Sequence, residues 1–253
     1  MNPPIKLISS MATRQLLADL VARYQAETGA VVEVESVGAV HAAKRVEDGE
    51  AFDGVVLASN AIDKLVAAGR VAGERIDLVN SGIFVAVQAG AAWPDISSEA
   101  AVKQAVLAAP TLGYSTGASG VALAQLFERW GIAAEIKPRV VTPPPGTPVG
   151  SLVAAGQVAL GFQQLSEMKF LPGIDVVGPL PPSIQVHTVF SGGVVATSRQ
   201  AEAVRAFFAF LVSPEVADVK IANGMEPHES TPGRPKLTHP PRAAAATPPG
   251  GAL

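Results

Sequence analysis

IKLISSMATRQLLADLVARYQAETGAVVEVESV (5–37) decides the fold class. It opens on a short apolar run that predicts a strand over 5–9. In 14–28, Leu16, Leu17, Leu20, Val21 and Tyr24 recur at helical spacing, and Gly29 stands where a helix C-cap favours glycine. Residues 30–37 alternate and predict a second strand. Working outward, 41–50 predicts a short helix, 53–59 a third strand and 61–71 another helix. Strand and helix go on alternating, which argues for an α/β fold. The next predicted elements are a strand over 82–88, a helix over 98–109 capped by Ser97 or Ser98, a strand over 111–115 and a helix over 119–131. An extended piece over 137–141, a helix over 149–157, a strand over 158–164 and a helical turn over 166–171 follow. The last are strands over 174–178 and 187–197, and helices over 200–213 and 214–223, the second closed by Gly224.

From Pro227 the composition shifts to Pro, Gly, Ala and Thr with almost no large apolar residue, so 227–253 is expected to be a disordered tail. The whole chain of 253 residues suits one large domain or two modest lobes. Its net charge of −3 offers no basic surface for a nucleic acid or an anionic membrane. No apolar run approaches the roughly 18 residues of a membrane span. With no cysteine, disulfides, thiolate nucleophiles and cysteine metal sites are excluded. His41, His187, His228 and His239 are scattered, and neither a metal site nor a cofactor is expected. The start, MNPPIKLISS, lacks the pattern of a signal peptide. The sequence as it stands therefore reads as cytoplasmic, or as periplasmic if a signal has been removed.

The candidate chemistry lies at strand-to-helix junctions rich in small residues: Ser9-Ser10-Met11, Gly38 with His41, Ser59, and Ser115-Thr116-Gly117-Ala118-Ser119. In open α/β sheets, ligands bind beyond the carboxyl ends of strands, where helix N-termini favour anions. YSTGASG (114–120) is neither a phosphate-binding GK[ST] loop nor GxGxxG, yet its backbone can wrap a small anion, with Gly117 allowing close approach. Gln163 and Gln164 end a strand as amide donors ahead of Ser166, and Val149 opens a helix after the stiff turn 146–150. Each junction read singly is also an ordinary cap or turn. His41 can donate to an anion or carry a proton, with Lys44 and Arg45 on the same helix able to reach an anion or to face solvent. Tyr114 and Glu167 are the next ionisable groups at such junctions. No Ser-His-Asp, Cys-His or paired-carboxylate order and no GxSxG is present, so hydrolase chemistry has no support.

Five segments, 5–29, 42–59, 114–120, 148–167 and 207–226, together resemble the periplasmic type II solute-binding proteins, in the molybdate-binding-like branch. The resemblance implies a two-lobe α/β fold, each lobe a mixed sheet flanked by helices, with a ligand cleft between them. Lobe one would be 1–80 with 187–226, and lobe two 81–186. It also implies ligand contacts near Ser9 or Ser10, near Gly38 to His41, at Ala118 or Ser119, at Val149 and at Gln164. The pocket departs from the molybdate binders, which have a serine-rich turn where this chain has GAVH and a tyrosine where it has Gln164. The implied function is a monomeric protein that closes on a small oxyanion or a di- or tricarboxylate and, if exported, serves an ABC permease. Aconitate isomerase, an enzyme, resembles the same branch. The alternative is therefore a cofactor-independent isomerase of a small tricarboxylic acid with His41 as its base.

Overall fold

The computed structural model describes residues 3–144 and 146–228. The chain begins with β1 (Ile5–Ser10), a 3-10 turn (Met11–Thr13), α1 (Arg14–Thr28), β2 (Val32–Val37), α2 (Ala39–Glu47), β3 (Gly54–Ala58) and α3 (Ser59–Ala67). It continues through β4 (Val71–Ser81), β5 (Ile83–Gln88), α4 (Glu99–Ala108), β6 (Leu112–Tyr114), α5 (Ala118–Arg129), α6 (Ala133–Ile136) and β7 (Val140–Val141). Then come α7 (Val149–Ala154), β8 (Leu160–Gln164), α8 (Leu165–Met168), β9 (Ile174–Pro179) and β10 (Thr188–Val195). The last elements are α9 (Ala201–Val212), α10 (Ala217–Ala222) and β11 (Glu226–Pro227).

These strands form two mixed sheets. The first has the order β11-β4-β10-β3-β1-β2 and the second β7-β6-β8-β5-β9. In the first, β1 runs parallel to β2 and β3, while β10 is antiparallel to β3 and β4. Helices cover both faces of this sheet. Leu16, Leu17 and Leu20 of α1 pack with Phe207 and Phe208 of α9 on one face, and Val46 of α2 packs with Ile62 and Leu65 of α3 on the other. The second lobe is built around Phe127, Phe162, Val85 and Leu160, with Val149 and Val153 of α7 on its far side. The period-3.6 reading of α1 ends as expected, with Gly29 at φ 72° and its N–H donated to Gln25 O. Ser98 is the cap of α4, its Oγ accepting the Ala101 N–H at 3.2 Å.

Two crossovers join the lobes. One passes from β4 through Gly82 into β5, and the other, 180–187, leads from β9 to β10. The Gln185 amide ties them together, accepting the Ile83 N–H at 2.8 Å and donating to Ile83 O at 3.0 Å. A side-chain amide that both donates and accepts thus links the two crossovers. The lobes also meet at α8, which packs against the 3-10 turn after β1. Beside it, Lys169 Nζ donates to Ala222 O at 2.6 Å. Gly224 lies so close to Leu165 that a Cβ there would sit 2.8 Å from the Leu165 side chain.

The structure corrects two expectations and adds a strand where the sequence predicted no element. Residues 137–139 form a 3-10 turn rather than extended chain, and only Val140–Val141 pair. Arg139 holds this turn by donating to Leu107 O at 3.1 Å and to Ala109 O, at the end of α4. Residues 71–81 form the longest strand, although their GERID stretch carries no apolar run. The boundary at 227 also moves. Pro227 pairs with Val79, and His228 Nδ1 lies 2.9 Å from Asn80 Oδ1. The remainder of the predicted tail, 229–253, lies outside the described residues. No helix among the described residues is long and apolar enough to cross a membrane.

Candidate functional site

At the end of β1, both serines are buried but serve different ends. Ser9 Oγ bonds Ser36 Oγ at 2.7 Å, cross-linking β1 to β2. Ser10, 4% exposed, has a buried Oγ with no partner. Met11 starts the 3-10 turn and is half-buried. Ser59 is the half-buried first residue of α3.

The β2–α2 junction is less promising. Gly38 is the N-cap of α2, and His41 is exposed on its first turn. The cations of this helix are already committed. Lys44 pairs with Asp48. Arg45 binds both oxygens of Glu35 and both of Glu50, and its guanidinium stacks 5.0 Å from the Phe52 ring centre. The Arg45 hydrogen bonds hold both carboxyls below their ordinary pKa, and the field of His41 adds to this. His41 therefore stands among carboxylates, an unfavourable neighbourhood for an approaching anion.

In the second lobe, YSTGASG spans the end of β6 and the start of α5. Ser115 Oγ accepts the Gly117 N–H at 3.2 Å. Thr116 is exposed, while Gly117 and Ala118 are half-buried. Ser119 is 1% exposed and its Oγ has no partner. Gly117 is not the sterically demanding glycine, because a Cβ there would meet only Ser115 Oγ at 3.4 Å. Gly120 is: a Cβ there would lie 1.5 Å from Ser115 O. The carbonyl of Ser115 thus folds onto the first turn of α5, whose leading N–H groups and dipole favour an anion.

Val149 opens α7, but its N–H is already accepted by Gln163 Oε1 at 2.8 Å. Gln164 ends β8 and points its Nε2 at Thr188 Oγ1, 3.5 Å away, across to the start of β10. Immediately beyond, Ser166 has a buried Oγ with no partner. Its neighbour Glu167 is half-buried, and desolvation pushes its carboxyl up to about 7 against the opposing hydrogen bond of Gln163. Burial also raises the Tyr114 phenol, whose ring packs 5.7 Å from that of Phe127. The predicted junctions lie at strand ends in both lobes, and the hydroxyls of Ser10, Ser119 and Ser166 are buried without partners. An unpaired buried hydroxyl costs about 1–3 kcal/mol.

Residues 5–226 match the family described as bacterial extracellular solute-binding protein. This chain belongs to that family. Solved structures of other binding proteins share the fold. The periplasmic molybdate-binding protein of Azotobacter vinelandii is 17% identical, with a TM-score of 0.74 over 87% of this chain and 98% of its own. The sulfate-binding protein SubI of Mycobacterium tuberculosis is 17% identical, with a TM-score of 0.72 over 90% of this chain and 88% of its own. An aconitate isomerase from Pseudomonas sp. is 38% identical over 237 residues, covering 90% of this solute-binding-family chain and 89% of the relative.

Glu167 carries the least direct sequence signal, an acid four residues past the buried Gln163. That it sits in a place without a cation becomes visible only when the lobes pack. Among the described residues, no group of His, Asp and Glu could hold a metal ion.

Proposed function

We propose that the chain is a cofactor-independent isomerase that interconverts the geometric isomers of aconitate, or of a close tricarboxylate, by an allylic proton shift. One observation carries this reading: the identity of 38% to the Pseudomonas aconitate isomerase along nearly the whole of both chains. The site's chemistry is consistent with it. A base removes one proton from the methylene carbon, the double bond moves one position, and a proton returns to the former vinyl carbon. The substrate's atoms and oxidation level are conserved, so the reaction needs a positioned acid/base and donors for the carboxylates. Ser10, Ser119, Ser166 and the first turn of α5 would supply those donors.

Family membership and the fold support a second reading, a protein that closes on a small oxyanion or carboxylate without turnover and, if exported, delivers it to an ABC permease. Proton NMR of trans-aconitate with the protein in D₂O separates the two. The isomerase reading expects the cis isomer to accumulate, with deuterium entering at the protonated carbon. Unchanged trans-aconitate, alongside calorimetric binding of molybdate, tungstate or sulfate, would favour the second reading and defeat the first.

Ser119→Ala tests the shared site. Removing one hydrogen bond to a charged ligand should weaken binding by about 1–3 kcal/mol, roughly 5- to 150-fold. The melting temperature should hold or rise slightly, because the free protein loses only an unpaired hydroxyl. A lower melting temperature with parental affinity would make Ser119 a packing residue.

A further inference from the structure

We infer that Glu167 is the group that carries the proton in this cleft, an assignment that rests on the isomerase reading. The placement comes first. Glu167 lies on α8, the short turn of the second lobe that packs against the 3-10 turn ending β1 in the first. Ser166, beside it, and Ser10, across the lobe junction, both carry buried hydroxyls without partners. Gln163 accepts the Val149 N–H through Oε1, and its amide is the one polar side chain that offsets the burial of Glu167.

Its surroundings suit a proton carrier better than a structural carboxylate. The elements packed most closely on α8 are β8 (LGFQQ), β5 (IFVAVQ), α7 (VGSLVA) and the 3-10 turn (MAT), none with a charged residue. In α10, whose end touches Leu165 through Gly224, Asp218 is paired with Arg23 and Lys220 is held by Leu78 O. Lys169, the nearest cation in sequence, spends its ammonium on the carbonyls of Ala222 and Ile221. A structural carboxylate at this depth would be matched by a cation or several N–H donors. With only one amide, burial leaves the carboxyl near 7, where it can both take and return a proton at neutral pH.

The step balances within the substrate. The Glu167 carboxylate takes a methylene proton. The C–H electron pair becomes the new double bond, and the old π pair moves to the former vinyl carbon, which takes a proton from the Glu167 carboxylic acid after that acid exchanges with solvent. Only the double-bond position and geometry change, and Glu167 ends ionised as it began.

The test compares the parent with Glu167→Gln, Glu167→Asp and His41→Gln, using trans-aconitate as the probe. Turnover is read by NMR in D₂O, affinity by calorimetry, and folding by near-ultraviolet circular dichroism and melting temperature. Glu167→Gln should lose about 10²–10⁴-fold in kcat while trans-aconitate still binds and the fold is retained. Parental kcat/KM should rise with pH through about 7 as the base ionises, and Glu167→Asp should keep measurable turnover with that limb displaced. If Glu167→Gln turns over like the parent, or if the whole loss falls on His41→Gln, the assignment to Glu167 is overturned while the isomerase reading survives. If the parent binds trans-aconitate but never isomerises it, the isomerase reading fails and this inference fails with it.

Discussion

Gly120→Ala is expected to lower the melting temperature and remove most ligand affinity together. A Cβ at this position would lie 1.5 Å from Ser115 O and 2.6 Å from Ser115 C, both backbone atoms that no side-chain rotation can clear. Either the YSTGASG loop or the first turn of α5 must move. Overpacking in a well-packed region costs about 1–3 kcal/mol, occasionally more, and the backbone contact puts this substitution at the upper end. At roughly 2–4 °C per kcal/mol for a chain of this size, the melting temperature should fall by about 6–12 °C. The same shift displaces Ser119 and the leading N–H groups of α5, so affinity should fall further than in Ser119→Ala. Gly117→Ala is the stability control, since its added carbon meets only Ser115 Oγ at an ordinary 3.4 Å. Differential scanning calorimetry and titration calorimetry read both effects. A parental melting temperature for Gly120→Ala would show that the loop yields without cost.

Lys220→Met is expected to stabilise the protein, most strongly at neutral pH. Lys220 is 2% exposed, and its ammonium reaches one acceptor, Leu78 O at 3.0 Å, within an apolar shell that includes Leu16, Leu20, Val56 and Leu211. Burial lowers its pKa from 10.5 to about 8. Between those values the unfolded chain holds the proton and the folded chain does not. Stability therefore rises with pH across that window, and the cost of the buried charge is present in full below about 8. The cost is on the order of 3 kcal/mol, less about 1 kcal/mol for the hydrogen bond to Leu78 O that the methionine forgoes. Lys220→Met should thus gain about 2 kcal/mol at pH 7, and its advantage should shrink steadily between pH 8 and 10. A variant less stable than the parent at pH 7 would mean that the Leu78 contact outweighs the buried charge.

Much of the fold was legible because local signals and tertiary packing agree. The apolar spacing of α1, with Gly29 behind it, predicts the helix Arg14–Thr28 to the residue. The apolar runs of β1, β3, β5 and β8 predict strands because the sheets bury them. β4 was not legible, since its polar GERID stretch is exposed and is held as strand by pairing with β10, which comes more than 100 residues later. The partner of β11 was hidden for the same reason, because Pro227 becomes a strand residue only through Val79.

The candidate site divides in the same way. The residue types at the junctions, small hydroxyls and glycines after strands, are properties of the sequence, and so is the absence of cysteine and of any hydrolase order. What each polar atom does was decided only by the tertiary structure. It engaged Ser9 with Ser36, filled the Val149 N–H with Gln163 and bound Arg45 to Glu35 and Glu50. It left the hydroxyls of Ser10, Ser119 and Ser166 unpaired and set Glu167 on the turn that packs against the other lobe. The physical reason is that propensity and hydrophobic period act over a few neighbouring residues. Hydrogen-bond satisfaction and desolvation instead depend on which distant segments meet, as α8 of one lobe meets the 3-10 turn after β1 of the other.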